Sequence, residues 1–261
     1  MSLDIAPVNS VRNVDSRTVN IVFEGDSFMN PTNGFIDVLK AAIVTSGIRT
    51  SMNSNAANGG TISAIPAGGD NNYMLYSGRI ASANALYYSG FLKNILCCFE
   101  GINEVAGFLL QTGNSNATIM ADTYAAYEAY YSTARTSNAG FKMILNTLTP
   151  RTDQSAGVNA NYEIIRQNAS DKLDVTTING KLRSEFTTAT GITRVWKSAL
   201  AKWAGCLLVD PGDDPDIGQA GQSADTTYYK DLVHLTPTTG CSLMTNRYYL
   251  PAVLYIHDGL L

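Results

Sequence analysis

The chain has 261 residues and a mass of 28.0 kDa, long enough for one large domain with a sizeable core. Its net charge of −4 and pI near 5.1 leave no basic footprint, which argues against a nucleic-acid role. Only 15% of residues are charged, while Asn, Ser, Thr, Gly and Tyr are abundant, a balance met in extracellular, virion and sugar-handling proteins.

The opening Met1-Ser2-Leu3-Asp4-Ile5-Ala6-Pro7 has neither the basic start nor the apolar centre of a secretory signal. Nor does any apolar run approach the ~20 residues of a membrane helix. A soluble chain without membrane contact is expected, its location and oligomeric state left open, with secretion or a place in a virion both compatible. Of the four cysteines, Cys97 and Cys98 are adjacent in one apolar run and Cys206 opens another. They read as buried thiols acting as small hydrophobes, not as a disulfide framework, and metal-ligand spacing is absent.

Residues 1–17 form a polar, irregular lead-in, and residues 18–261 read as one domain without internal repeat or linker. The apolar run 19–23 suits a buried parallel strand and stops at Gly25-Asp26-Ser27. Asn33 then stands as a helix N-cap before Phe35, Val38, Leu39, Ala42 and Ile43 at helical spacing, with Gly47 as the stop. A strand feeding a helix through a tight turn places that turn at the carboxyl edge of the sheet, where open α/β sheets bind ligands. A serine hydroxyl there is placed to attack a carbonyl.

Residues 48–52 suggest a second strand, followed by a small, polar loop over 53–61. Its Gly59-Gly60 pair serves either a flexible turn or a backbone amide that approaches a ligand. Residues 62–90 give no clear period. Residues 95–99 read as a central strand ending in Glu100-Gly101-Ile102-Asn103-Glu104, and residues 121–138 as a helix whose Tyr124, Tyr127, Tyr130 and Tyr131 form a core stripe. A fourth strand spans 141–148, closed by Pro150. Ile192, Val195, Trp196, Ala199, Leu200 and Trp203 follow an amphipathic helical pattern, and residues 206–210 make a fifth strand. The loop Pro211-Gly212-Asp213-Asp214-Pro215-Asp216 lacks the ligand spacing and closing Glu of a calcium loop and reads as a solvated turn. Helices alternating with short apolar strands imply an α/β fold with a five-stranded parallel sheet and right-handed crossovers.

The chain contains two histidines. His257 lies near the C-terminus, where chains commonly fray. His234 sits in Lys230-Asp231-Leu232-Val233-His234-Leu235-Thr236-Pro237, just ahead of a final helix, and Asp231 can reach its ring from the same turn. A carboxylate on one ring nitrogen fixes the tautomer and leaves the other nitrogen free to take a proton.

Gly25-Asp26-Ser27 after the first strand, Gly59-Gly60 after the second, Gly101-Ile102-Asn103-Glu104 after the third and Asp231-Leu232-Val233-His234 before the last helix share an order and placement. Together, over residues 19–254, they resemble the SGNH, or GDSL, hydrolase superfamily. The resemblance implies a three-layer α/β/α sandwich of flavodoxin-like type. It makes Ser27 the nucleophile, His234 the base and Asp231 its orienting carboxylate. The oxyanion donors it implies are the Ser27 amide, the Asn103 side chain and the Gly60 amide, with Gly59 as the alternative. Where the family motif usually has a second acid, Asp, after the asparagine, this chain has Glu104, a change that bears on loop packing. Asp26 is expected to bond the turn's backbone. The implied activity is hydrolysis of small acyl esters, with O-acetyl groups on carbohydrate as substrate and no metal or organic cofactor. A lipase or thioesterase on longer chains, and a non-catalytic carbohydrate-binding or virion-associated module, are the alternatives.

Overall fold

Strand β1 (Thr18–Gly25) is buried along nearly its whole length, with Val19, Ile21, Val22 and Phe23 fully covered. Even Asn20 lies inside, its amide held by Asn94 Oδ1 at 2.9 Å and the Leu86 carbonyl at 2.7 Å. Such a run needs cover on both faces, the situation of a central parallel strand. In the computed structural model, which describes residues 18–64, 73–111 and 113–261, β1 is flanked by β2 (Arg49–Ser54) and β3 (Lys93–Phe99), both parallel to it. The lead-in 1–17 and part of the unpatterned 62–90 stretch lie outside the described residues.

Beyond β3 come β4 (Phe141–Asn146) and then β7 (Cys206–Val209), again parallel. The five expected strands are therefore present, but among the described residues the sheet has seven, in the order β2-β1-β3-β4-β7-β6-β5, with β6 at Val195–Lys197 and β5 at Thr188–Ala189. These two additional strands are short and antiparallel and extend the β7 edge.

The crossovers are helical: α1 (Phe35–Thr45) after β1, α2 (Ser77–Ala85) after β2, α3 (Ile102–Leu109) and α4 (Asn116–Ser137) after β3, and α5 (Ala156–Arg166) and α6 (Ile178–Glu185) after β4. A final α7 (Thr239–Met244) runs through a π-helical turn into α8 (Leu250–His257). The helices fall into two groups. Helices α7 and α8 pack on α1, while α4 gathers α2, α3, α5 and α6. No helix of the described residues is long and apolar enough to cross a membrane.

The α1 stripe buries Phe35, Ile36, Leu39 and Ile43, and Gly47 follows its end at φ 81°, as a left-handed stop does. Its N-cap is Gly34, not Asn33; Asn33 instead ends a short 3-10 turn, and its side chain is used elsewhere. Tyr127, Tyr130 and Tyr131 are core residues as expected, with Tyr131 edge-on to Trp203 at 5.3 Å. All four cysteines are free and buried.

Two further expectations are corrected. The periodic stretch from Ile192 to Trp203 is not a helix: Val195, Trp196 and Lys197 pair with Val209, Leu208 and Leu207 as strand β6, and Trp203 closes a separate 3-10 turn. The backbone of Arg194 at φ 61° breaks any helix there, and the open edge of β7 gains a ladder partner instead. The loop 211–216 is not a solvated turn either. Asp214 is fully buried, bonded by Arg247 Nη1 at 2.9 Å, Arg194 Nη1 at 3.1 Å and the Tyr248 hydroxyl, which hold its carboxyl below the usual range against the upward push of burial.

Candidate active site

Two glycines let the ends of β1 and β3 come together. A Cβ on Gly25, at φ 127°, would lie 2.0 Å from the Phe99 carbonyl oxygen, and one on Gly101, at φ 104°, would lie 2.3 Å from the Tyr127 hydroxyl. With both spaces open, the Asp26 N–H reaches Phe99 O at 3.2 Å. The Ser27 turn and the start of α3 thus share one carboxyl edge.

Asp26 is buried and its carboxylate accepts the Phe28 N–H at 2.8 Å, opening a short 3-10 turn over Ser27–Met29. It serves the backbone, as expected, and burial pushes its carboxyl up to about 7. Among the described residues, the Ser27 N–H meets no acceptor. The Asn33 amide donates to the Ser27 carbonyl, while Asn33 Oδ1 accepts from Lys230 Nζ at 2.6 Å. One side chain therefore joins the serine turn to the loop that carries His234, a role hidden within the turn-rich Asn30-Pro31-Thr32-Asn33-Gly34.

The His234 ring places Nε2 2.5 Å from Ser27 Oγ and Nδ1 2.9 Å from both Asp231 carboxylate oxygens. The His234 backbone N–H also donates to Asp231 Oδ1 at 2.8 Å. Partial burial pushes the Asp231 carboxyl up, but these bonds and the charge of the ring outweigh it and hold the group below the usual carboxylate range. With Nδ1–H given to the carboxylate, Nε2 is the acceptor for the serine proton. The Phe28 ring packs against the imidazole at 5.5 Å, and the Lys230 N–H closes the loop on the His234 carbonyl at 2.8 Å. His257 lies apart at the end of α8, bonded to Asp258.

Asn103, in the first turn of α3, donates through Nδ2 to the Gly60 carbonyl at 3.1 Å. Gly60 has no room for a side chain: a Cβ would stand 2.9 Å from Ala57 O and 3.2 Å from Gly25 O, whereas Gly59 is open and merely turns at φ 69°. The Gly60 N–H already donates to Ala57 O at 3.0 Å, so it could meet a ligand only by sharing that bond. Glu104 is fully buried and clamps the same loop, accepting the Ile62 N–H at 2.9 Å, the Ser63 N–H at 3.3 Å and the Ser63 hydroxyl. Glu104 thus acts on loop packing, as expected from the sequence; burial pushes its carboxyl up to about 7 despite the bonds from Ser63 and Ile62.

Behind the loop, Arg79 binds Glu24 at 2.7 Å and the Asn55 carbonyl at 2.9 Å. Arg151 holds Asp153 at 2.6 Å and donates to the Ile102 carbonyl at 3.2 Å, next to Asn103. Neither arginine falls in a recognisable motif, so nothing local in the sequence marks them. The structure thus brings Ser27, His234 and Asp231 into one hydrogen-bonded row, with Gly60 and Asn103 bonded to each other alongside.

No protein-family model matches the chain, and no curated protein sequence matches it. Solved structures do. A carbohydrate esterase family 3 protein from Talaromyces cellulolyticus superposes with a TM-score of 0.53 at 14% identity, covering 92% of this chain and 99% of that one. An active-site mutant of a family two carbohydrate esterase from Clostridium thermocellum gives 0.51 at 13% identity, covering 93% of this chain and 64% of the other. At such identities the likeness is one of architecture, and it establishes that this chain has the SGNH/GDSL hydrolase fold.

Proposed function

We propose that residues 18–261 form one catalytic unit, a serine esterase that hydrolyses small carboxylic esters, with O-acetyl groups on carbohydrate as its substrate. The observation that carries this reading is the row from Ser27 Oγ through His234 to both oxygens of Asp231, at 2.5 and 2.9 Å. Ser27 Oγ attacks the acyl carbon while its proton passes to His234 Nε2, a base that the weakly nucleophilic hydroxyl requires. Negative charge then gathers on the former carbonyl oxygen, met by the Ser27 N–H, the Asn103 amide and a shared Gly60 N–H. His234 returns the proton to the leaving alcohol. Water, deprotonated by the same ring, cleaves the acyl-enzyme and frees the acid. No metal or organic cofactor enters these steps.

Two neighbours in fold are carbohydrate esterases, which supports a small acyl group on a sugar over a long chain. Turnover of p-nitrophenyl acetate by the wild type and its loss in Ser27→Ala is the test, with longer p-nitrophenyl esters expected to react more slowly. Equal activity in the two proteins refutes the reading. Sugar binding without turnover of any ester would point instead to a non-catalytic module.

A further inference from the structure

Leu232 stands between the carboxylate and the base of the row, and its backbone is in the left-handed region at φ 66°. Leucine adopts that conformation only under strain, since its Cβ crowds the following carbonyl. The strain is locked in place: the Leu232 carbonyl accepts the Thr152 N–H at 3.2 Å, and Asp231 folds back on the His234 N–H across it. A turn needed only to fold Asp231 back would be satisfied by glycine without cost. The leucine side chain adds nothing to the core, for Val233 and Leu235 are buried while Leu232 is 41% exposed. A strained position thus holds a part-exposed apolar side chain two residues from the base.

The chemistry says which half of a substrate lies beside His234. His234 Nε2 must serve both the serine oxygen and the leaving oxygen, so the alcohol departs on the His234 side of the acyl carbon, and the oxyanion donors lie on the other. We infer that Leu232 is a specificity-determining residue for the alcohol half of the ester, giving an apolar surface against which the C–H face of a sugar ring packs. The inference rests on the esterase reading and deepens it.

The test compares Leu232→Gly and Leu232→Ala with wild type on methyl acetate and on an O-acetylated methyl glucoside. Both variants should lose about tenfold in kcat/KM on the sugar ester, mostly through KM, the scale set by loss of an apolar contact. Methyl acetate, which has no ring to pack, should stay within about twofold by the same reasoning. Leu232→Gly should also melt about 2–4 °C above Leu232→Ala, because only glycine relieves the strain. Equal losses on the two esters, no loss on either, or equal melting temperatures overturn the inference. Ser27→Ala serves as the separate control. If it abolishes methyl acetate hydrolysis while the Leu232 variants treat both esters alike, the esterase reading stands and this inference alone falls.

Discussion

Replacing Asn103 by alanine separates the work of its side chain in the folded protein from the work proposed for it in the reaction. At rest Asn103 Nδ2 donates to the Gly60 carbonyl at 3.1 Å, and its second N–H is left for a ligand. Loss of the resting bond costs about 1 kcal/mol of stability, a fall of about 2–4 °C in melting temperature for a chain of this size. Loss of a donor to the oxyanion costs about 3 kcal/mol in the barrier, or roughly 150-fold in kcat. The greater of these two losses belongs to the transition state because charge on the oxygen develops only there, so KM should move by less than about threefold. Stopped assays of p-nitrophenyl acetate hydrolysis at saturating and limiting ester give both constants. Because Gly60 N–H is already engaged with Ala57 O, little compensation from that side is expected. A kcat within about threefold of wild type, or a loss confined to KM, refutes the assignment of Asn103 as a donor.

Asp231→Asn should lower kcat by about 10⁴-fold with the circular dichroism spectrum unchanged, since an amide facing Nδ1 favours the wrong tautomer; wild-type activity would remove Asp231 from the mechanism. Arg183 and Asp210 form a buried pair with two bonds of 2.7 Å, so Arg183→Met should cost about 3–5 kcal/mol in urea unfolding by leaving the carboxylate uncompensated, and a loss below about 1 kcal/mol would contradict this. Asp26 and Glu104, raised to about 7 by burial, hold protons that the unfolded chain has released. From the ordinary carboxylate range up to about 7 the folded state therefore binds more protons, and stability should fall as pH rises through that window. Melting curves between pH 5 and pH 8 should show this fall, weaker in Glu104→Gln; a steady rise would contradict it.

The residues of the candidate site were legible because each follows its strand within a few positions or sits beside its partner: Ser27 after β1, Asn103 after β3 and Asp231 three residues before His234. Strands β3, β4 and β7 were legible for a related reason, since strands covered on both faces read as near-continuous apolar runs, whereas the edge strand β2 is polar and half-exposed. What failed depends on partners distant in sequence. The stretch from Ile192 to Trp203 satisfies a helical period, yet Val195–Lys197 gains more from the vacant edge of β7. Asp214 looks like one acid among several in a turn, and nothing local shows that Arg194 and Arg247 arrive from 20 residues before it and 33 after it. Asn33 has the right identity for an N-cap, but the carbonyl of Ser27 and the ammonium of Lys230 claim its amide. Gly34, whose φ of 82° suits glycine, caps α1 instead.

The most direct measurement is mass spectrometry of the protein after treatment with an organophosphonate that captures activated serines. The 2.5 Å contact between Ser27 Oγ and His234 Nε2 requires one adduct, on the peptide carrying Ser27, with ester turnover lost in step with labelling. In His234→Ala the same adduct should form far more slowly, because the hydroxyl no longer has a base. An adduct on any other residue, or undiminished turnover by fully labelled protein, would contradict the central claim that Ser27 is the nucleophile.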